Sequence, residues 1–494
     1  MKTIYTILIS SLFLLAAVQA QNEADALRYS QNFYGGTART ISMGGAFGAL
    51  GGDFTSASMN PAGLGVYRSS EFTITPTLAY DNTSSTYLGK TTEDNNYQFI
   101  FNNIGFVHTI LTGKDEGWIG VTFGLGYNQL NNFNRNTLMK GVMVSGSDQS
   151  SSLLDNFTNW ANATPGADQD KSLLDPFYEG LAWGTYMLEI DSLGFWNELW
   201  NQYYGQSQQR RIIESGGIGE YVISVGANYG NRLYIGGTFG IHRLRYNSEV
   251  IHQEFDDAQI LDYFDSFTFR ELLDTRGTGY TFKAGMIFRP ISLIRIGAAF
   301  HLPTFYKIKE SFYTDMQSTF DQQYGVPDYY LQSPTNEFEY WLRTPWKAIG
   351  SVALQLGRIA IISADYEYMD YSEASMDSRS TDYDLLDQND RIREIYTAAH
   401  NIRLGAELHL GPMYLRGGAS YYDSPYKKTE INGESSYITL NGGLGFRSEK
   451  VFFDLAYAIR LNDYQYRLYI PEDVNGASIS STNQQIAATI GFRF

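Results

Sequence analysis

Alternation of apolar with small polar residues runs through most of this chain, and no other feature narrows the fold as much. Successive residues of an extended strand point to opposite sides. In 451–460, Val451, Phe453, Leu455, Tyr457 and Ile459 share one side, and Asp454 and Arg460 lie on the other. In 402–410, Ile402, Leu404, Ala406, Leu408 and Leu410 oppose Arg403, Glu407 and His409. The pattern recurs in 72–80, 117–130, 221–229, 233–241, 280–288, 294–300, 360–368, 413–421, 438–446 and 486–494. The second side is mostly Gly, Thr, Ser and Asn, with a few charges of both signs. A soluble β-sandwich would carry a solvated face there, dense in Lys and Glu. A crowded, partly wet lumen with paired charges fits instead. The expectation is an all-β fold: a closed, antiparallel transmembrane β-barrel of about 14 strands. The chain ends on an aromatic residue, Phe494, as such barrels commonly do.

Residues 1–20 read as a signal peptide, with Lys2 at the charged start, an apolar middle from Ile7 to Val18, and Val18-Gln19-Ala20 before the cleavage point. The chain has 0 Cys, which excludes disulfides, a lipid-anchored cysteine and thiolate metal sites. A net charge of -17 argues against a nucleic-acid partner. With 38 Tyr and 30 Phe the chain is too apolar to be disordered. No segment of the mature chain reaches the ~18 apolar residues of a membrane helix. Together these place the barrel in the outer membrane of a Gram-negative bacterium, crossing it many times. The expected organisation is a signal peptide over 1–20, an N-terminal tail and hatch over 21–70, and the barrel over 71–494.

The stretch 33–66 breaks the alternation. It holds Gly35, Gly36, Gly44, Gly45, Gly48, Gly51, Gly52, Gly63 and Gly65, too many for a central strand. It also holds Ile41, Met43, Phe47, Leu50 and Phe54, too apolar for a solvated linker. Glycine lets a backbone approach a wall closely and adopt positive φ. Asn60-Pro61-Ala62-Gly63 reads as a rigid turn closing the stretch. The expectation is a plug inside the lumen.

The connections are unequal. Short ones at 113–117, 230–232, 290–292, 357–358, 411–412 and 448–450 alternate with long ones at 131–216, roughly 245–275, 307–336, 371–397 and 463–480. Short turns belong on the periplasmic side, which predicts both termini there. The outer loop 131–216 has three apolar faces at helical spacing: Leu153 to Ala161, Leu173 to Leu181, and Phe195 to Tyr204. Phe157, Trp160, Phe177, Leu181, Trp183, Phe195, Trp196, Leu199 and Trp200 are the candidate lining of an apolar capture groove. The same faces packed only on one another would instead cap the barrel. On the inward side, Asp365, Glu367, Arg403, Glu407, Arg416 and Arg460 form a candidate charge network that fills and stiffens the lumen. Six scattered His form no paired motif, and no nucleophile elbow is present. No catalytic residues, metal or cofactor are expected.

Several short motifs, in order along the chain, resemble the FadL/TodX/OmpP1 family of outer-membrane transporters for long-chain fatty acids and other hydrophobic compounds. They are Ser42-Met43-Gly44-Gly45-Ala46-Phe47, Asp53, Asn60-Pro61-Ala62-Gly63-Leu64, Thr344-Pro345-Trp346, Ala364-Asp365-Tyr366, Arg403-Leu404-Gly405-Ala406-Glu407, Arg416-Gly417-Gly418, Tyr422-Asp423-Ser424-Pro425, Asp454-Leu455-Ala456-Tyr457 and Gly491-Phe492-Arg493-Phe494. The resemblance implies a 14-stranded barrel with a small N-terminal hatch. It implies passive transport of a fatty-acid-like hydrophobic molecule, taken from an outer groove to a lumen pocket and released sideways into the lipid. Gly44, Gly45, Phe47, Asp53, Asn60, Pro61, Ala62 and Gly63 are then the gating candidates. The implied partners are that ligand and outer-membrane lipid, with the barrel acting as a monomer. The polar tail before Phe33 departs from what a lipid pocket would favour. A surface adhesin or structural barrel, and a receptor for haem or another hydrophobic ligand, are the competing readings.

Overall fold

The computed structural model describes residues 23–144, 151–199, 204–379, 384–469 and 476–494, so the signal-peptide segment lies outside it. Fourteen antiparallel strands close into a barrel. They are β1 (Glu71–Tyr87), β2 (Lys90–Leu111), β3 (Trp118–Asn132, resuming as Arg135–Val142), β4 (Ser207–Tyr229), β5 (Leu233–Phe255) and β6 (Phe264–Phe288). Then come β7 (Ile294–His301 and Phe305–Phe320), β8 (Asn336–Arg343 and Lys347–Leu356), β9 (Ala360–Asp370) and β10 (Ala398–Leu410). The last four are β11 (Met413–Tyr422), β12 (Tyr437–Arg447), β13 (Val451–Tyr466) and β14 (Ala477–Arg493). β1 and β14 pair from Glu71↔Arg493 to Thr86↔Ser478, and that ladder seals the sheet.

The two faces sort as the alternation predicts. Leu404 is 53% exposed while Arg403 is 0%, and Leu415 is 49% exposed while Arg416 is 3%. Apolar residues outside and charges inside invert the arrangement of a soluble protein. The medium around the wall is therefore lipid, and the chain is a multi-pass protein of the Gram-negative outer membrane. Among the described residues no helix is long and apolar enough to cross a membrane.

The strands run further than the sequence suggests. β4, β5 and β6 are 23, 23 and 25 residues long, whereas a tilted strand crosses the hydrocarbon in roughly 9–11. Their upper halves project beyond the lipid, so the stretch 245–275 is mostly sheet, with its turn confined to 256–263. Alternation fails there because both sides of a projecting ribbon meet water or protein, never lipid. β3 likewise carries on to Val142, and β4 resumes at Ser207, inside the segment read as loop 131–216.

Within the lumen, α1 (Glu23–Ser30) leads through an extended stretch to α2 (Ala38–Ser42), α3 (Ser56–Met59) and a 3-10 turn over Pro61–Val66. Asp53 is the hub of this plug segment. Its carboxylate accepts from Thr37 Oγ1 at 2.6 Å, Thr40 Oγ1 at 3.1 Å and the Thr55 N–H at 2.9 Å. Asn60 caps the final turn by accepting from the Ala62 N–H at 3.2 Å, and Pro61 sits at the first position of that turn, where no donor is needed. Its amide also donates to the Gly48 carbonyl at 2.6 Å and, across to the wall, to the Met286 carbonyl at 3.2 Å. Gly44 needs its positive φ of 63° to turn against the β10 and β11 backbones. The wall reciprocates at Gly236 on β5, where a Cβ would fall 2.4 Å from the Pro61 carbonyl carbon.

Both termini were expected at the periplasmic end. Phe494 is there, its N–H bonded to the Ser70 carbonyl at 3.1 Å beside the start of β1. The arm α1 is not. It lies above the plug segment and packs Tyr29 on Tyr246 of β5.

A side chain at position 236 should form the barrel yet unseat the plug. For Gly236→Val we expect an overpacking cost of about 1–3 kcal/mol. Heat-modifiable migration should persist while trypsin gains access to Arg39. A folded variant in which Arg39 stays protected would contradict this close packing.

Candidate functional site

Five of the six predicted lumen charges meet, in two separate clusters that fasten the plug segment. On β9 and β10, Arg403 donates to Glu367 at 2.9 Å, and Asn401 adds a bond to Glu367 at 3.0 Å. Beside them Asp365 accepts the backbone N–H groups of Phe47 and Gly48 at 3.0 and 2.9 Å. On β10 and β11, Arg39 of the plug segment grips Glu407 with two bonds of 2.9 and 3.0 Å. Glu407 also accepts from Arg416 at 2.6 Å, and Arg416 continues to Asp454 at 2.7 Å. These are charge-assisted pairs, the shorter and stronger kind. The opposite wall holds the same segment: Lys283 donates to the Ser58 carbonyl at 3.1 Å and Arg295 to the Leu50 carbonyl at 2.7 Å. The sequence reading did not single out Arg39, Lys283 or Arg295 as site residues, although Lys283 and Arg295 lie on inward registers that alternation could have supplied.

Arg460 is the exception. It joins neither cluster. Its guanidinium lies 4.1 Å above the Phe33 ring and 5.8 Å from that of Tyr437. The reason is height: β13 carries Asp454 at the level of the plug segment, and Arg460 is six residues further along, above it.

Above the plug segment the lumen opens into a cavity of about 540 Å³. The arm supplies part of its wall through Arg28 and Phe33, and β3 supplies Asn132, Asn134 and Arg135. Here the barrel wall has a seam. β2 and β3 pair only from Asn103↔Asn128 to Leu111↔Gly120. Beyond that point β3 is interrupted at 133–134, and side chains replace the ladder. Asn132 donates to Gln98 Oε1 at 3.0 Å, Asn136 to the Asn95 carbonyl at 3.2 Å, and Thr92 to the Leu138 carbonyl at 2.5 Å. The arm takes up the vacated edge of β3, with Phe33 N–H on the Leu130 carbonyl at 2.8 Å and Gly35 N–H on the Gln129 carbonyl at 3.0 Å. The sequence signal for the seam was the run Asn131, Asn132, Asn134 and Asn136, rich in side chains that bond backbone.

Among the described residues the outer loop has one of its three predicted helical faces. α4 (Leu153–Ala163) forms as the spacing predicts, with a capping box from Ser152 and Asp155. The segment 171–184 is a 3-10 turn and the short α5 (Glu179–Gly184), divided by Pro176. Phe195 and Trp196 lie in a small hairpin strand, Gly194–Trp196, rather than a helix. Phe157, Leu181, Phe195 and Leu199 are buried with Phe264, Phe267, Phe269 and Met316 of β6 and β7. Trp183 packs on their margin, Phe177 stacks on Phe312 at 5.8 Å, Trp160 is 37% exposed, and Trp196 is half-buried. Trp200 lies outside the described residues. The predicted groove residues thus build a filled apolar core over the mouth. The projecting halves of β6 and β7 supply its other side, which the sequence reading had taken for loop.

No protein-family model matches the sequence, and no curated protein sequence matches it either. Solved structures do match. A Pseudomonas aeruginosa FadL homologue superposes with a TM-score of 0.54 at 12% identity, over 94% of this chain and 99% of that one. The toluene transporter TbuX of Ralstonia pickettii gives 0.51 at 14% identity, again over 94% and 99%. The toluene transporter TodX of P. putida gives 0.52 at 10% identity over the same shares. These likenesses span both chains nearly end to end, and the fold of this protein is that of the FadL-like outer-membrane barrels.

Proposed function

We propose that this protein is a passive outer-membrane channel for hydrophobic small molecules, working as a single barrel. The observation that carries the reading is the lumen cavity set between the N-terminal arm and a seam in the wall. The toluene transporters that share its fold support a hydrophobic cargo, and long-chain fatty acids belong to the same class. A molecule enters by parting the apolar core over the mouth and comes to rest in the cavity. The arm, residues 23–36, then shifts off the β3 edge, and the molecule leaves sideways through the seam into lipid. No energy source takes part.

In this reading the gating candidates Gly44, Gly45, Phe47, Asp53, Asn60, Pro61, Ala62 and Gly63 hold the plug still and keep the lumen closed to water. The moving part is the arm. The plug segment is fastened to β5, β6, β7, β9 and β10 by side-chain bonds, several of them charged, whereas the arm has a few neutral bonds to β3 and one from Lys347 to Tyr34. Neutral bonds each contribute about 1 kcal/mol, which thermal motion can exchange for water.

The test is uptake of a labelled long-chain fatty acid and of toluene into proteoliposomes. Passage of both with exclusion of maltose is expected, and equal passage of maltose would overturn the reading in favour of a porin. The seam is tested separately, since the chain has 0 Cys. In a Gln98→Cys, Asn132→Cys variant, a short bis-maleimide bridge should abolish uptake. The same variant labelled singly at each thiol should retain it.

The fixed plug gives a third measurement. Arg39→Met removes the two-bond grip on Glu407, and loss of one partner of such a buried pair costs about 3 kcal/mol. We expect faster amide exchange at Phe47 and Gly48 and a leak of small sugars. Unchanged exchange would show that the plug is held by packing alone.

A further inference from the structure

We propose that the lumen cavity seats an anionic, ring-bearing amphiphile, with its acid group on Arg460 and its ring among Phe33, Phe133 and Tyr437, in preference to a plain alkyl chain. This rests on the channel reading above and narrows its cargo.

The charge of the lining favours an anion at one point. Four arginines line the cavity. Arg28 pairs with Asp25, Arg135 with Asp81 at 3.4 Å, and Arg210 with Glu271 at 3.0 Å. Arg460 alone has no carboxylate within bridging distance among the described residues. Its bare cation is held by ring faces, 4.1 Å from Phe33. A guanidinium held over a ring face by its charge still has N–H donors to offer a ligand. Those donors match a carboxylate or sulfonate, which can take two parallel bonds from one guanidinium edge.

The position of Arg460 ties the seat to the arm. Arg460 borders the large cavity and also a second one of about 50 Å³ beneath it, which reaches Gly44 and Gly45 of the plug segment. An anion there sits at the floor of the pocket, against the arm residue Phe33. Phe33 is also the residue whose N–H holds the β3 edge. Occupancy of the seat therefore bears directly on the contact that the arm must release.

The rest of the wall is polar as well as aromatic. Asn132, Asn134, Asn462, Tyr464 and Glu214 face the same space. An alkyl chain would cover these polar groups without bonding them, at a desolvation cost. A ring carrying polar substituents uses both kinds of surface, its faces against the aromatic side chains and its edges toward the amides.

The experiment is calorimetric titration of the full barrel in lipid nanodiscs with three probes: naphthoate, its neutral isostere naphthylmethanol, and palmitate. Wild type is expected to bind naphthoate about tenfold or more tighter than naphthylmethanol, the usual reach of a charge-assisted pair. Arg460→Gln should erase that preference while leaving naphthylmethanol unchanged, and Arg460→Lys should restore part of it. Heat-modifiable migration confirms that each variant is folded. The wild-type comparison alone decides the matter should Arg460→Gln fail to fold. Equal binding of naphthoate and naphthylmethanol, or tighter binding of palmitate than naphthoate, overturns the proposal. Flux of toluene into proteoliposomes is measured beside it. Toluene flux without a naphthoate preference overturns the anion seat and leaves the channel standing. A naphthoate preference without flux of any probe keeps the seat and overturns the channel.

Discussion

Hydrocarbon offers no partner to a backbone N–H or carbonyl, so a sheet that spans a membrane can have no free edge. Everything in this molecule follows from that constraint. β1 must find β14, and it does so along fourteen paired positions from Glu71↔Arg493 to Thr86↔Ser478. Closure then creates an inside, and the alternation of the strands fills it with whatever lipid would reject. That is why Arg403, Arg416 and Asp454 are buried while Leu404, Leu415 and Leu455 are exposed.

A lumen so lined cannot be left as a bundle of unpaired charges. Burying a lone ion is costly, and a pair is tolerated only with good geometry and satisfied hydrogen bonds. The plug segment supplies part of that satisfaction. Its Arg39 shares Glu407 with Arg416, and its Phe47 and Gly48 N–H groups occupy Asp365. The dependence is mutual, because the plug segment has little regular structure of its own to satisfy its backbone. Glycine on both surfaces makes the approach close enough: Gly44 lies against β10 and β11, and Gly236 against Pro61. Plug and wall are one folding problem, solved together.

The barrel and its inner face were legible in the sequence because lipid imposes a strict period of two. Leu404 beside Arg403 needs no tertiary information to be assigned a side. Legibility stopped where lipid stopped. The upper half of β5, from Arg245 to Gln253, was read as loop because its neighbours are protein and water, which accept either kind of residue on either face. The helical faces at Leu173 to Leu181 and Phe195 to Trp196 failed for a related reason. In a segment whose apolar residues all end in one core, several backbone paths bury the same set, and Pro176 selected against the helix. Arg460 was grouped with the network by parity, which gives the side of a strand and not the height along it. It lies above Asp454, at the level where the arm replaces the plug segment. The seam left only a compositional trace, the asparagines of β3.

The seam is where the rule of no free edge is relaxed, and its chemistry indicates what relaxes it. β2 leaves β3 after Asn103↔Asn128, and the exposed carbonyls of Gln129 and Leu130 are taken up by Gly35 and Phe33 of the arm. The arm thus serves as a fragment of strand inside the wall. Its withdrawal would leave two carbonyls without a partner unless something polar replaced it. A purely aliphatic occupant of the cavity has nothing to offer them. A hydrated or hydrogen-bonding occupant does, and on the proposed route it would lower the cost of moving the arm. The polar lining of the pocket and the polar character of the arm (Asp25, Arg28, Gln31 and Asn32 among its residues) then belong to one design. Both keep water or a water substitute within reach of an edge that cannot be left bare.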